Sequence, residues 1–302
     1  VGSVVVFVVR LLFQQSDIWQ RINRFAQAWN QYDSPLYNGA DNIWFEFDMD
    51  DIDLEQPFPS FFYGPHNINS REDLHQINRT ALEALLQDQL DPAVHRQLSR
   101  CVDQLPEHAA LFQIGTMLSR NTSALRLCIN EIGISDISTI LSDLNWGGPI
   151  HTLEQLLVHL DSLVDQITLD IDLGTAIHPK VGLECYITAD EDKVEKWLRL
   201  LQLLEDADLC VPEKREALLE YPGGIHRFTT KKEWPAHWLE ISKIEKNKNL
   251  SIYLRDLHHI KISYTPNQPL QAKAYLSVGH AWLPTKEIIE ARQKAQASTM
   301  AP

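Results

Sequence analysis

The chain has 302 residues, 44% of them hydrophobic and 23% charged, the proportions of a globular protein large enough to bury a sizeable core. Acidic residues outnumber basic ones 41 to 27, and the formal net charge of −14 argues against nucleic acid or an anionic membrane surface as a partner. Cys101, Cys128, Cys185 and Cys210 fit neither a structural zinc site nor a disulfide framework, so they read as reduced thiols of a cytoplasmic protein.

Residues 1–16 hold an apolar run from Val4 to Val9 that Arg10 interrupts. It is too short for a membrane span, which takes about 20 apolar residues, and it lacks the basic start and cleavage site of a signal peptide. With valine at position 1 it reads as a trimmed or non-native start. Apolar residues at three- and four-residue spacing then predict a helix over 17–31. Strands follow at 42–50 and 60–63, and helices at 71–87 and 92–104; the latter two open on Ser70 and on Asp91-Pro92, residues suited to helix starts. A hairpin is predicted from 110–118 and 124–130, a helix at 152–164, and strands at 166–173 and 180–187. Helices at 192–204 and 213–221 come next, the first carrying Trp197, Leu200, Leu201 and Leu204 on an apolar stripe. A hairpin over 258–265 and 270–278 ends the pattern, and residues 291–302 read as a flexible tail.

Side chains alternate across a strand, so each strand divides into two faces. Ile43, Phe45 and Phe47 oppose Trp44, Glu46, Asp48 and Asp50; Leu127 and Ile129 oppose Arg126 and Cys128. Leu169 and Ile171 oppose Thr168, Asp170 and Asp172; Leu183 and Cys185 oppose Glu184 and Tyr186. Near the C-terminus Ile260 and Ile262 oppose Lys261, and Leu276 opposes Lys273 and Tyr275. The apolar faces must pack on the helices, which predicts an α+β fold of repeated helix–hairpin units: an antiparallel sheet with helices on one face. The polar face is then either an open, wetted surface or the lining of a lumen, and acids interleaved with cations and aromatics favour a sheet curled into a barrel with a polar lumen. Residues 17–290 read as one domain. The likeness of residues 44–48 to 168–172, and of Arg126 to Lys273 in aligned hairpins, suggests an internal duplication with halves 17–150 and 151–290.

Trp44-Phe45-Glu46-Phe47-Asp48, the cationic strand at 124–128 (ALRLC) and the segment 270–278 (LQAKAYLSV), set in repeated helix–hairpin units, resemble the aromatic prenyltransferases of the ABBA (PT-barrel) type. That resemblance implies prenyl transfer from an allylic diphosphate to an aromatic, peptide or other nucleophilic acceptor inside the lumen. Such chemistry needs cations for the departing diphosphate, aromatics around the allylic cation and a base at the acceptor. Arg126, Lys261, Lys273 and Tyr275 are the candidate diphosphate ligands, Trp44 and Tyr186 the candidate cage, and Glu46 and Glu184 the candidate bases. Asp48 and Asp50 head an acidic run that could hold Mg²⁺, the one cofactor this sequence suggests. No GxSxG, HExxH, P-loop or GxGxxG motif is present. The alternative is a non-catalytic module that binds a peptide or protein on the polar face of an open sheet.

Overall fold

A computed structural model describes residues 16–48, 58–120, 122, 124–189, 191–244 and 248–286. The chain divides into two compact units, one made of 1–188 with 261–271, the other of 189–260 with 272–302. This division lies at a different place from the 150/151 boundary of the expected repeat halves.

The first unit contains α1 (Asp17–Trp29), α2 (Pro35–Gly39), β1 (Ala40–Phe47), β2 (Pro59–Pro65), α3 (Arg71–Leu86), α4 (Pro92–Gln104), β3 (Ala110–Thr116), β4 (Leu125–Ile132), α5 (Ile134–Asp143), α6 (Ile150–Asp161), β5 (Gln166–Leu173) and β6 (Ile177–Tyr186). The strands lie side by side in sequence order from β1 to β6, every pairing antiparallel. Beyond β6 comes β8 (Asn249–Tyr264), whose residues from Lys261 onward belong to this unit. The fold class is the predicted one: α+β, with a curled antiparallel sheet and helices on one side.

The predicted caps form. Ser70 accepts a hydrogen bond from the Asp73 amide (3.1 Å), and Asp91 accepts one from Ala93 (2.7 Å) just before Pro92. Arg71 at the start of α3 donates to the carbonyls of Val102 and Leu105 (2.6 Å for the latter), supplying partners to the otherwise open C-terminus of α4. The aromatic ring of Phe25 in α1 meets Phe61 at 4.9 Å and Tyr63 at 5.7 Å between ring centres, and the Tyr63 hydroxyl donates to Asn78 of α3. Leu127, Ile129, Leu169, Ile171, Leu183 and Ile262 are buried, as the alternation requires.

Phe45, Phe47 and Leu276, expected in the same core, are 36%, 39% and 47% exposed. The parity is right and the position in the sheet is the reason. Strand β1 stands at the end of the strand order, where Phe45 meets the rings of Trp19, Phe61 and Phe47 and is left partly exposed. Leu276 lies on β9 (Gln271–Pro284), which pairs with β8 and stands off the main strand order.

The second unit holds α7 (Lys193–Asp206), α8 (Pro212–Glu220), β7 (Gly223–His226), α9 (Ala236–Ile244), the start of β8 and β9. Strand β7 was not predicted; it pairs antiparallel with β8 from Gly223 opposite Arg255 to His226 opposite Ile252. Trp238 stacks on His280 at 3.9 Å, and the Ser251 hydroxyl joins His280 (2.8 Å) to the indole N–H of Trp234 (3.3 Å). Among the described residues, no helix is long and apolar enough to cross a membrane.

Candidate functional site

Residues directly opposite across an antiparallel pair share a face. The register therefore lays Trp44, Phe62, Gly115, Arg126 and Asp172 in one row across β1 to β5. Cys128, Asp170 and Gly182 form the next row, Thr168 with Glu184 a third, and Gln166 with Tyr186 a fourth. Glu46 stands two residues beyond Trp44 and so lies on the same face.

Two glycines let side chains lie flat on this face. A Cβ at Gly115 would meet the Phe62 ring at 2.3 Å, and one at Gly182 would meet Lys261 Cε at 2.6 Å. Lys261 thus crosses β6 over a glycine and reaches Asp170 of β5, with which it forms an ion pair. Its Nζ also lies 3.5 Å from Glu184 Oε1, and the Tyr186 hydroxyl donates to Glu184 Oε2 at 2.7 Å. Asp170 is 3% exposed and Lys261 8% exposed, so this pair is withdrawn from water. The other carboxylate oxygen of Asp170, Oδ1, is buried with no hydrogen-bond partner among the described residues.

Arg126 forms a forked pair with Asp172, Nε to Oδ1 at 2.7 Å and Nη2 to Oδ2 at 3.0 Å. At the margin Arg120 grips Asp48 with two bonds of 2.9 Å and approaches Glu46 at 3.4 Å. Burial disfavours the charge on Arg126, but the hydrogen bonds and charge of Asp172 more than offset it and raise its pKa. Burial, with the Glu184 charge beside it, holds the Tyr186 phenol protonated far above its ordinary value. The Cys128 thiol, in the middle of the face, is pushed up to about 12 by burial and by Glu184, and so is no thiolate nucleophile at neutral pH.

Six predicted site residues therefore share one face of the first unit: Trp44, Glu46, Arg126, Glu184, Tyr186 and Lys261. Lys273 and Tyr275 lie on β9 in the second unit, where the Lys273 ammonium sits 5.4 Å from the Tyr275 ring centre and that ring stacks on His259 at 4.2 Å. Asp48 falls just past the end of β1, and Asp50 lies outside the described residues. Among the described residues, no group of three or more His, Cys, Asp and Glu side chains is placed to share a metal ion, and Asp48 is held by Arg120, so nothing described here builds a Mg²⁺ site. Arg120 was not predicted: it sits in the β3–β4 turn, where sequence alternation gives no face. Asp170 and Asp172 were assigned to the polar face but not to the site.

In the second unit His259 is buried, and its Nδ1 lies 2.7 Å from His258 Nδ1. Burial, then the neighbouring His258, lowers its pKa to about 4. Folding therefore keeps His259 neutral where the unfolded chain, with an ordinary value of 6.5, takes up a proton. Its contribution to stability is full above 6.5 and is lost as the pH falls from there toward about 4. Urea unfolding between about pH 7 and pH 4.5 should show this loss, and His259→Phe should flatten the profile. An unchanged slope in that variant would assign the acid sensitivity to other groups.

Comparison with protein families, with curated proteins and with solved structures finds no match to this chain.

Proposed function

We propose that the first unit is a binding module whose polar sheet face takes a basic peptide segment. The observation that carries this reading is the charge of the face. Glu46, Asp48, Asp170, Asp172 and Glu184 stand against Arg120, Arg126 and Lys261, and each of these cations already has a carboxylate partner. The excess is negative. Cations and N–H donors suit such a surface, and the half-buried Trp44 offers apolar area for the stem of a lysine or arginine. A cytoplasmic location belongs to the same proposal, favoured by four cysteines that are all free thiols.

A second reading is prenyl transfer from an allylic diphosphate, and one observation favours it. Glu46, Arg126, Glu184 and Lys261 share the face that the resemblance assigns to the lumen. To bind diphosphate there, Arg126 and Lys261 would have to exchange Asp172 and Asp170 for phosphate oxygens.

Calorimetry of the intact chain separates the two. A short lysine-rich peptide should bind, weaken with added salt, and bind about tenfold more weakly to Glu46→Gln, while its glutamate counterpart should not bind. Dimethylallyl and geranyl diphosphate, with and without Mg²⁺, form the other arm. Diphosphate binding that is lost in Arg126→Ala, with no binding of the lysine peptide, would replace the first reading by the second. Binding of neither ligand class at millimolar concentration would remove both.

A further inference from the structure

Strand β1 ends the strand order, and its ladder partner among the described residues is β2 alone, from Ala40 opposite Pro65 to Phe47 opposite Pro59. Half of its backbone N–H and C=O groups therefore point away from the sheet, the template on which another extended chain can pair. Natural edge strands are commonly blunted by lysine, by proline or by a bulge. β1 reads ADNIWFEF, with neither lysine nor proline, and its one irregularity lies at the Ala40/Asn42 end, away from the aromatic stretch.

The side chains along this edge select the occupant. Phe45 and Phe47 are 36% and 39% exposed on one face, with the half-buried Trp44 on the other. Asp41, Glu46 and Asp48 add three acids along the same edge, their side chains 46%, 28% and 40% exposed, against the single arginine Arg120 that pairs with Asp48 and approaches Glu46, so the edge keeps a negative excess. A second copy would bring the same acids against them from a chain whose net charge is −14. A strand with basic residues between apolar ones meets both the charges and the rings.

We infer that β1 is a docking edge at which an extended, basic segment of a partner protein adds as a further antiparallel or parallel strand. The inference rests on the binding-module reading for the charge of its partner, but it assigns the main-chain contacts to a different part of the unit. Affinity comes from the ladder, and Asp41, Glu46 and Asp48 choose the sign of the partner.

The test uses the intact chain, a peptide of alternating lysine and valine, its glutamate counterpart, and two lysine peptides N-methylated at alternate residues in the two registers. Hydrogen exchange should slow about tenfold or more at amides within residues 40–47 when the lysine peptide is added. At least one N-methylated peptide should bind about tenfold more weakly, because the methyl groups remove the donors a ladder needs. Asp41→Lys should weaken the lysine peptide and admit the glutamate one. Binding by calorimetry without protection at β1 overturns the docking edge and leaves the polar-face module standing. No binding at all overturns both. Protection at β1 in the absence of peptide, together with a dimer in sedimentation, also overturns the inference, since the edge is then filled by a second copy.

Discussion

Lys261→Ala should destabilise the protein by about 3–5 kcal/mol in chemical denaturation, the range found when one member of a buried ion pair is removed. Lys261 is 8% exposed and its partner Asp170 3% exposed, and Glu184 lies within 3.5 Å of the same ammonium. Without the lysine, two carboxylates face each other in a site from which water is largely excluded. The loss should shrink as the pH is lowered, because a proton then neutralises the orphaned acid. The double variant Lys261→Met with Asp170→Leu is the control. Buried pairs replaced by apolar residues of similar volume are often neutral in stability, so it should recover most of the loss. A cost below about 1 kcal/mol for Lys261→Ala would mean that the pair is solvated and contributes as little as a surface ion pair.

Phe25→Ala should cost a similar amount, about 3–5 kcal/mol, by a different mechanism. The Phe25 ring is 1% exposed and sits among Phe61, Tyr63 and Trp29, with centres 4.9, 5.7 and 6.1 Å away. Truncation leaves a cavity between α1 and β2 that rigid aromatic neighbours cannot close. Phe25→Leu, which keeps most of the volume, should recover over half of the loss, and peptide binding on the opposite face of the sheet should survive in both variants. Equal losses for alanine and leucine would point to ring geometry rather than volume as the stabilising feature.

Why the faces could be read from the sequence, and the edges could not, follows from what alternation encodes. The period of two fixes which residues share a side, and Arg126, Asp172, Asp170, Glu184 and Lys261 fell on one face as expected. Helices 17–29, 71–86, 92–104, 150–161, 193–206 and 212–220 were visible from their apolar spacing and caps. Which strand lies at a sheet end is a property of the whole topology, so the exposure of Phe45 and Phe47 left no local signal. Helix α5 was missed because ISDISTILSD mixes β-branched residues with serine and aspartate, residues that favour strands and turns. Strand β8 begins at Asn249, nine positions before the predicted 258, because Leu250, Ile252 and Leu254 alternate with Ser251 and Tyr253, which do not mark a clear polar side. The pairing of Arg120 with Asp48 was out of reach for another reason: it joins a turn to a strand end 72 residues away, and no periodicity connects them.

The first unit is discontinuous: it closes with residues 261–271, after 72 residues that belong to the second. Ribosomes deliver a chain from its N-terminus, so Asp170 and Glu184 emerge long before Lys261 does. Until then the growing polypeptide carries two acids on a face whose counter-charge has not been made. A nascent chain that stops at Thr188 has β1 to β6 and all of the helices that back them, yet lacks the cation that neutralises the centre of the sheet. Synthesis as far as Lys261 is thus a precondition for neutralising Asp170 and Glu184, and the order of translation places residues 189–260 of the second unit ahead of that step.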